Sequence, residues 1–114
     1  AASDVYKRQV LIKKRLKELN QENAFGHEIK IGIGINSGEA LVGNMGSDQR
    51  FDYSVIGDAV NLASRLEGTS KNYDTTIIIG EETVKRIDKP KWAFRLVDKV
   101  QVKGKSEKVS IYTV

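Results

Sequence analysis

Asn61 and Arg65 are the residues of this sequence whose types and spacing could do chemistry. They stand four positions apart, so on a helix the amide lies beside the guanidinium, one turn away. Such a pair can hydrogen-bond a sugar oxygen and a phosphate oxygen at the same time. An asparagine and an arginine at this spacing on an exposed helix are more often only a solvated face. The sequence around them therefore decides whether the pair is a ligand site.

The helix that would carry this pair is expected to begin at Gly57 and to run to about Glu67, with Gly68 as the residue that ends it. The apolar residues of the segment fall on one face: Ala59, Leu62, Ala63 and Leu66. Asp58 falls with the polar pair on the opposite face. The predicted helix therefore packs by its apolar side and presents the pair on its other side.

The clearest predicted strand covers residues 28–36, where the residue types alternate strictly. Isoleucines at positions 29, 31, 33 and 35 point to one side, and to the other point Lys30, Gly32, Gly34 and Asn36. Bare glycines on one face predict that another element packs very close to the backbone there. The chain is expected to turn at residues 36–38 and to continue as a strand over residues 39–42, which predicts a β-hairpin.

The rest of the chain shows further helical and strand patterns. We expect a helix over residues 10–23, a loop over 43–50, a short strand over 51–56, a buried strand over 75–79, a short helix over 81–87, and two final strands over 94–102 and 108–114. This mixture of elements predicts an α+β fold.

Composition excludes several classes of function. The chain has 114 residues, no cysteine and a single histidine, so a disulfide scaffold, a thiolate zinc site and a Ser-His triad are not expected. No apolar run approaches the roughly 20 residues that cross a bilayer, so we expect a soluble domain. The net charge of +4 suits an anionic ligand such as a phosphate. No basic run is interleaved with aromatics, so no nucleic-acid partner is expected.

Four stretches of the sequence closely resemble the catalytic domain of the class III nucleotidyl cyclases, the adenylyl and guanylyl cyclases. They are residues 31–39 (IGIGINSGE), 42–46 (VGNMG), 52–68 (DYSVIGDAVNLASRLEG) and 102–105 (VKGK). The resemblance extends over residues 10–114, and its central run is long and specific. It implies a ferredoxin-like nucleotidyl cyclase fold of the α+β class, truncated at its N-terminus.

The resemblance also implies an activity and a partner. Members of this family convert a nucleoside triphosphate into a 3′,5′-cyclic monophosphate and pyrophosphate, as lyases of cyclic-nucleotide signalling. Two such domains pair head to tail and form their sites at the interface, so a homodimer is expected for the full protein. The resemblance places the domain in the cytoplasm, with any membrane link made by segments outside this chain.

Residue roles carry over from the family position by position. Asn61 matches the asparagine that orients the ribose, and Arg65 matches the arginine that stabilises charge at the α-phosphate. Lys103 matches the lysine that holds the triphosphate. Ser54 occupies the position that selects the base, where serine favours ATP over GTP. Arg50 lies in the loop where the family often places an arginine that contacts phosphate.

The same resemblance implies two divalent metal ions, Mg²⁺ or Mn²⁺. In the family they are held by two aspartates in the first half of the domain, and nothing in this chain matches those aspartate motifs. The chain as it stands is therefore expected to have no metal ligands, to be inactive alone and to fold poorly in isolation.

Residues 1–9 are expected to be foreign to the protein. Their back-translation resembles the end of a transposase adapter used in DNA sequencing libraries. Residues 10–114 are then expected to be the C-terminal part of the cyclase catalytic domain. This interpretation changes the net charge only from +4 to +3, because the nine residues carry two basic side chains and one acidic one.

Two other functions remain open at this point. The first is a non-catalytic regulatory module on the cyclase fold that keeps nucleotide binding or dimerisation. The second is an unrelated basic interaction domain, which would bind nucleic acid with a steep salt dependence. A dinucleotide-binding loop at Gly32 and Gly34 is rejected, because Ser37 stands where its third glycine belongs and a strand, not a helix, is expected to follow.

Overall fold

The computed structural model describes residues 2–44, 53–87, 93–101 and 108–114. The helices of this part are α1 (Ala2–Gln21), α2 (Asp58–Thr69) and α3 (Glu81–Lys85), with a 3₁₀ turn at Ser70–Tyr73. The strands are β1 (Ile33–Ile35), β2 (Leu41–Asn44), β3 (Tyr53–Ile56), β4 (Ile77–Gly80), β5 (Arg95–Gln101) and β6 (Lys108–Thr113). The α+β class expected from the sequence is confirmed.

The main sheet has the strand order β1-β4-β6-β5. Strand β1 runs parallel to β4, with Ile33 opposite Ile77 and Ile35 opposite Ile79. Strand β6 is antiparallel to both of its neighbours, β4 and β5. The isoleucines of β4 are fully buried, as expected for a strand that has neighbours on both sides.

Helices cover both faces of this sheet. On one face α1 and α3 pack over a cluster of large side chains, with Tyr6, Ile35, Ile77, Ile79 and Ile87 at its centre. On the other face α2 packs over a smaller cluster formed by Leu66, Ile78 and Ile111. Alternate residues of β4 therefore pack into two different cores, because successive side chains of a strand point to opposite faces.

The predicted hairpin between residues 28–36 and 39–42 is wrong. Strand β1 pairs with β4, and β2 pairs instead with β3, with Leu41 opposite Ile56 and Val42 opposite Val55. The reason lies in the predicted turn. The side chain of Asn36 donates to the carbonyl of Ala59 in α2, and Ser37 hydrogen-bonds Thr83 in α3. The segment is thus held against two helices and does not fold back on β1.

The strand at residues 28–36 is also shorter than predicted, because only residues 33–35 pair with β4. Before these residues, the side chain of Asn20 at the end of α1 hydrogen-bonds both the carbonyl and the N–H of Ile29. Its amide donates to the carbonyl of Ile29 at 2.8 Å, and its oxygen accepts from the N–H of Ile29 at 3.0 Å. A side chain thus replaces the strand partner there.

The helix ends differ from the prediction as well. Helix α1 begins at Ala2, not Val10, and it buries Tyr6, whose ring meets Phe94 edge to face at 5.1 Å. Helix α2 does not stop at Gly68. The chain continues into the 3₁₀ turn, and Asp74 takes up the left-handed conformation at its end, with φ of 50°. That residues 1–9 are foreign stays a prediction.

None of the helices in the described ranges is long and apolar enough to cross a lipid bilayer.

Candidate active site

Helix α2 presents the two polar residues as the sequence predicts. The backbone N–H groups of Val60 and Asn61 both bond the carbonyl of Gly57 at 3.1 Å, which starts the helix. The apolar face is turned to the sheet, where Leu66 is 1% exposed. Asn61 and Arg65 lie on the exposed side, four residues apart. The amide and the guanidinium are therefore neighbours on a face that solvent reaches.

Close contact between backbones fixes where α2 sits on the sheet. A Cβ placed on Gly34 would overlap the carbonyl oxygen of Ala63 and lie 2.5 Å from the amide nitrogen of Glu67. A Cβ on Gly32 would lie 2.5 Å from the hydroxyl of Ser70 and 3.0 Å from the carbonyl of Glu67. The expectation that an element packs against these glycines is confirmed, and that element is the helix carrying Asn61 and Arg65.

Neither site side chain is engaged within the described part of the molecule. There the amide of Asn61 makes no hydrogen bond, and the guanidinium of Arg65 makes neither a hydrogen bond nor an ion pair. The backbone carbonyl of Arg65 accepts from the hydroxyl of Thr69 at 2.7 Å, which leaves the side chain of Arg65 unaffected. The five donors of the guanidinium and the amide group of Asn61 can therefore serve a ligand.

Ser54 lies on β3, opposite Gly43 of β2, and its side chain is half-buried. Strand β3 ends at Ile56 and passes through Gly57 directly into α2. The connection is one residue long, so Ser54 precedes the helix start by only a few residues. The structure thus places Ser54 in the strand that leads directly into α2. Arg50 and Lys103, the other two predicted substrate-binding residues, lie outside the described residues.

A tyrosine and an aspartate beyond the end of α2 shift each other's pKa. The hydroxyl of Tyr73 donates to the carboxylate of Asp98 at 2.5 Å, and this bond raises the pKa of Tyr73 above its ordinary value. The same bond lowers the pKa of Asp98, helped by the backbone N–H of Lys99 at 2.7 Å. This pair ties the 3₁₀ turn after α2 to β5.

The chain does not fit the two-metal site that the resemblance implies, because its sequence contains no match to the two aspartate motifs. No group of three or more His, Cys, Asp or Glu side chains within the described ranges could hold a metal ion.

Asn36 is the residue at this site whose role the sequence interpretation missed. The sequence pattern predicts a turn at this residue, yet its amide reaches into the first turn of α2. One signal was available. Asn36 continues the face of Gly32 and Gly34, so a polar side chain had to meet whatever packs there, and buried polar groups need partners.

Comparisons with known proteins agree with this architecture. Residues 1–114 match the family model of the adenylate and guanylate cyclase catalytic domain. The chain is 42% identical to an adenylate cyclase of Anabaena cylindrica over 113 residues, which cover 92% of this chain and 22% of that protein. It is similar to the crystal structure of the adenylyl cyclase CyaB from P. aeruginosa, with a TM-score of 0.79 and 36% identity, covering 97% of this chain and 57% of that one. The crystal structure of the guanylyl cyclase Cya2 gives a TM-score of 0.72 and 33% identity, covering 97% and 56%.

The fold and the match over the whole chain define a nucleotidyl cyclase domain. The chain belongs to the adenylate and guanylate cyclase catalytic-domain family. It spans about a fifth of the length of the Anabaena relative and just over half of each of the two solved chains.

Proposed function

We propose that the full protein containing this domain is an adenylyl cyclase that converts ATP into 3′,5′-cyclic AMP and pyrophosphate. The observation that carries this proposal is the exposed pair Asn61 and Arg65 on α2, in a domain of the cyclase family. The amide suits a ribose hydroxyl, and the guanidinium suits a phosphate oxygen.

The chemistry explains why an arginine is useful on this helix. The ribose 3′-hydroxyl gives up its proton to solvent as its oxygen attacks the α-phosphorus. The bond from that phosphorus to the α,β-bridging oxygen breaks, and pyrophosphate leaves with the electron pair. Negative charge grows on the oxygens around the α-phosphorus as this happens. A guanidinium fixed on a rigid helix meets that charge with two donors and never loses its proton. Asn61 would hold the ribose so that the 3′-oxygen stays in line, which lowers the barrier by orientation.

Ser54 is proposed to contact the base and to favour ATP over GTP. Its hydroxyl can donate or accept, so it discriminates between adenine and guanine less sharply than a carboxylate would. Turnover of the full protein with each nucleotide decides this point. We expect a higher kcat/KM with ATP, and a clear preference for GTP would reverse the assignment.

The proposal includes a homodimer formed through the cyclase domain. The β2–β3 pair supports this part, because it exposes apolar side chains on both of its faces: Leu41, Val42, Val55 and Ile56 are each about half exposed or more. Exposed apolar patches of this kind mark protein interfaces. Sedimentation of the full protein tests it, and a monomer at assay concentrations that still turns over substrate would contradict it.

Replacing Arg65 tests the proposed function most directly. In the full protein, we expect Arg65→Ala to lower kcat about 10²–10³-fold, the loss typical for one preorganised donor. KM should change little, because the contact is made mainly in the transition state. The measurement is cyclic nucleotide formed from ATP with Mg²⁺ or Mn²⁺ present.

Arg15→Ala is the matched control, because Arg15 is an exposed arginine on α1 that pairs only with Glu18 at 3.1 Å within the described part. Its kcat should stay within about twofold of the parent value. Equal losses in both variants would contradict the role of Arg65. Nucleotide binding by the unaltered protein without any product would favour the regulatory module instead.

The 114-residue chain by itself is proposed to make no cyclic nucleotide, because its sequence does not match the aspartate motifs that the resemblance implies as metal ligands. The same assay applied to the purified chain tests this, and detectable product would contradict it.

A further inference from the structure

Asn36 joins the end of β1 to the first turn of the helix that carries the site. Its Nδ2 donates to the carbonyl oxygen of Ala59 at 3.0 Å, and Ala59 precedes Asn61 by two residues. Arg65 follows Ala59 by six residues, which is about 9 Å along a helix axis. The hydrogen bond therefore holds the first turn of α2, from which Asn61 projects, and Arg65 follows one turn later on the same helix.

The amide of Asn36 is enclosed from two sides. A Cβ placed on Gly80, the last residue of β4, would lie 2.5 Å from Oδ1 and 3.2 Å from Cγ of Asn36. The side chain is thus confined between the end of β4 and the start of α2, and only glycine at position 80 leaves room for it. This confinement fixes the direction in which Nδ2 points.

The oxygen atom of the Asn36 amide indicates that this side chain contributes a directed hydrogen bond and not only packing. Oδ1 of Asn36 is buried, and no hydrogen-bond partner for it lies among the described residues. A buried polar atom without a partner is destabilising, and an apolar side chain of similar volume would avoid that cost. The contribution of the amide is therefore directional, since it ties one carbonyl of α2 to the sheet.

The residue next to it provides an internal comparison. The hydroxyl of Ser37 hydrogen-bonds that of Thr83 at 2.9 Å, and Thr83 is fully buried in α3. Ser37 thus secures the same corner of the chain against a helix that carries no site residue. Among the described residues, these two adjacent side chains make one hydrogen bond each, to different helices.

We propose that Asn36 is a positioning residue for the cyclisation reaction, one that sets where Asn61 and Arg65 stand relative to the sheet. This inference rests on the proposed function of that pair. A displacement of about 1 Å at a reacting centre can lower the rate 10²-fold. Loss of the hydrogen bond from Asn36 to Ala59 should therefore lower turnover, although Asn36 acts only through the position of α2.

The test compares Asn36→Ala with Ser37→Ala in the full protein. We expect Asn36→Ala to lower kcat about tenfold or more while KM for ATP stays within about twofold. Ser37→Ala should leave both constants within about twofold, although both variants lower the apparent melting temperature. A kcat in Asn36→Ala equal to that of the unaltered protein, or equal losses in both variants, would overturn the proposal.

Asn36→Asp adds a readout that a purely structural role would not move. An ionised carboxylate cannot donate to the carbonyl of Ala59, whereas a protonated one can. The kcat of Asn36→Asp, relative to the unaltered protein, should therefore rise as the pH falls, and a ratio that stays flat while the NMR shift of the introduced carboxyl shows it ionising would count against the proposal. Absence of product from the unaltered protein is a separate result, because it would remove the proposed function itself.

Discussion

The two faces of the four-stranded sheet are packed by different means. Under α1 and α3, large side chains such as Ile35, Ile79 and Phe94 interlock. Under α2, glycines let the helix backbone approach the strand backbone, with Gly34 against Ala63 and Glu67. One face is a side-chain core, whereas the other combines a smaller side-chain cluster around Leu66 and Ile78 with a close contact between backbones.

This difference bears on function, because the site residues stand on the helix of the second face. A core of side chains can change rotamers to absorb a small change. A contact between two backbones has no side chain that can adjust, so the distance from α2 to β1 is fixed by the glycines themselves. The helix that needs a defined position thus has the less adjustable packing.

The largest expected loss of stability comes from the side-chain core. Ile79→Ala removes a fully buried side chain of β4, and we expect the free energy of unfolding to fall by about 2–5 kcal/mol, since a cavity adds to the lost burial. Hydrogen exchange of the β4 amides in the full protein measures it. The control is Ile31→Ala, where the side chain is 38% exposed and the loss should be smaller, about 1–2 kcal/mol. Similar losses at both positions would show that this face is not the main core.

Gly34→Ala is expected to have the next largest effect. The added methyl meets the backbone of α2, so the helix has to move, and overpacking of this kind costs about 1–3 kcal/mol. Hydrogen exchange of the α2 amides measures the change. Gly68→Ala is the matched control, because a Cβ there would meet no atom of the described residues within 4 Å. That variant should gain about 0.5–1 kcal/mol from helix propensity. A stabilising Gly34→Ala would refute the close contact.

Much of the fold could be predicted from residue spacing. Strict alternation in residues 28–36 predicted both the isoleucine face of β1 and the close approach to Gly32 and Gly34, because a strand has a period of two. Helical periodicity likewise predicted that Leu66 is buried and that Arg65 is exposed. These are local consequences of the sequence.

Strand pairing could not be predicted in the same way. The residues 36–38 resembled a hairpin turn, and the structure uses Asn36 and Ser37 for tertiary hydrogen bonds instead. Gly68 resembled a helix end, but a glycine is also tolerated inside a helix, and Asp74 supplies the left-handed residue. Within the candidate site, residue spacing predicted that Asn61 and Arg65 share a helix face. Spacing could not predict the hydrogen bond from Asn36 to Ala59, because these two residues are 23 positions apart in the sequence.

The smallest expected effect concerns the bond from Tyr73 to Asp98, which lies beyond the end of α2. Tyr73→Phe removes it, and the pKa of Asp98 should then return toward its ordinary value, because this bond is the main cause of the lowering. The carboxyl carbon shift of Asp98, followed by NMR across pH, measures this. An unchanged pKa in the variant would mean that another group lowers it.

The pH dependence of this bond follows from the two shifts. A lowered pKa of Asp98 stabilises the fold above the ordinary carboxyl range, and this contribution is lost as the pH falls through the lowered value. A raised pKa of Tyr73 stabilises the fold below its ordinary range, and this contribution is lost as the pH rises through the raised value. The stability difference between the parent and Tyr73→Phe should therefore be flat from about pH 5 to 9 and shrink at both extremes.

The measurement that tests the account most directly is kcat of the full protein in Gly34→Ala and in Ile35→Val. The two residues are adjacent and face opposite sides of the sheet, and both changes cost a similar, modest amount of stability. We predict that Gly34→Ala lowers kcat with ATP about tenfold or more, whereas Ile35→Val stays within about twofold. Equal kcat values in the two variants would contradict the claim that backbone contact with β1 sets the position of Asn61 and Arg65.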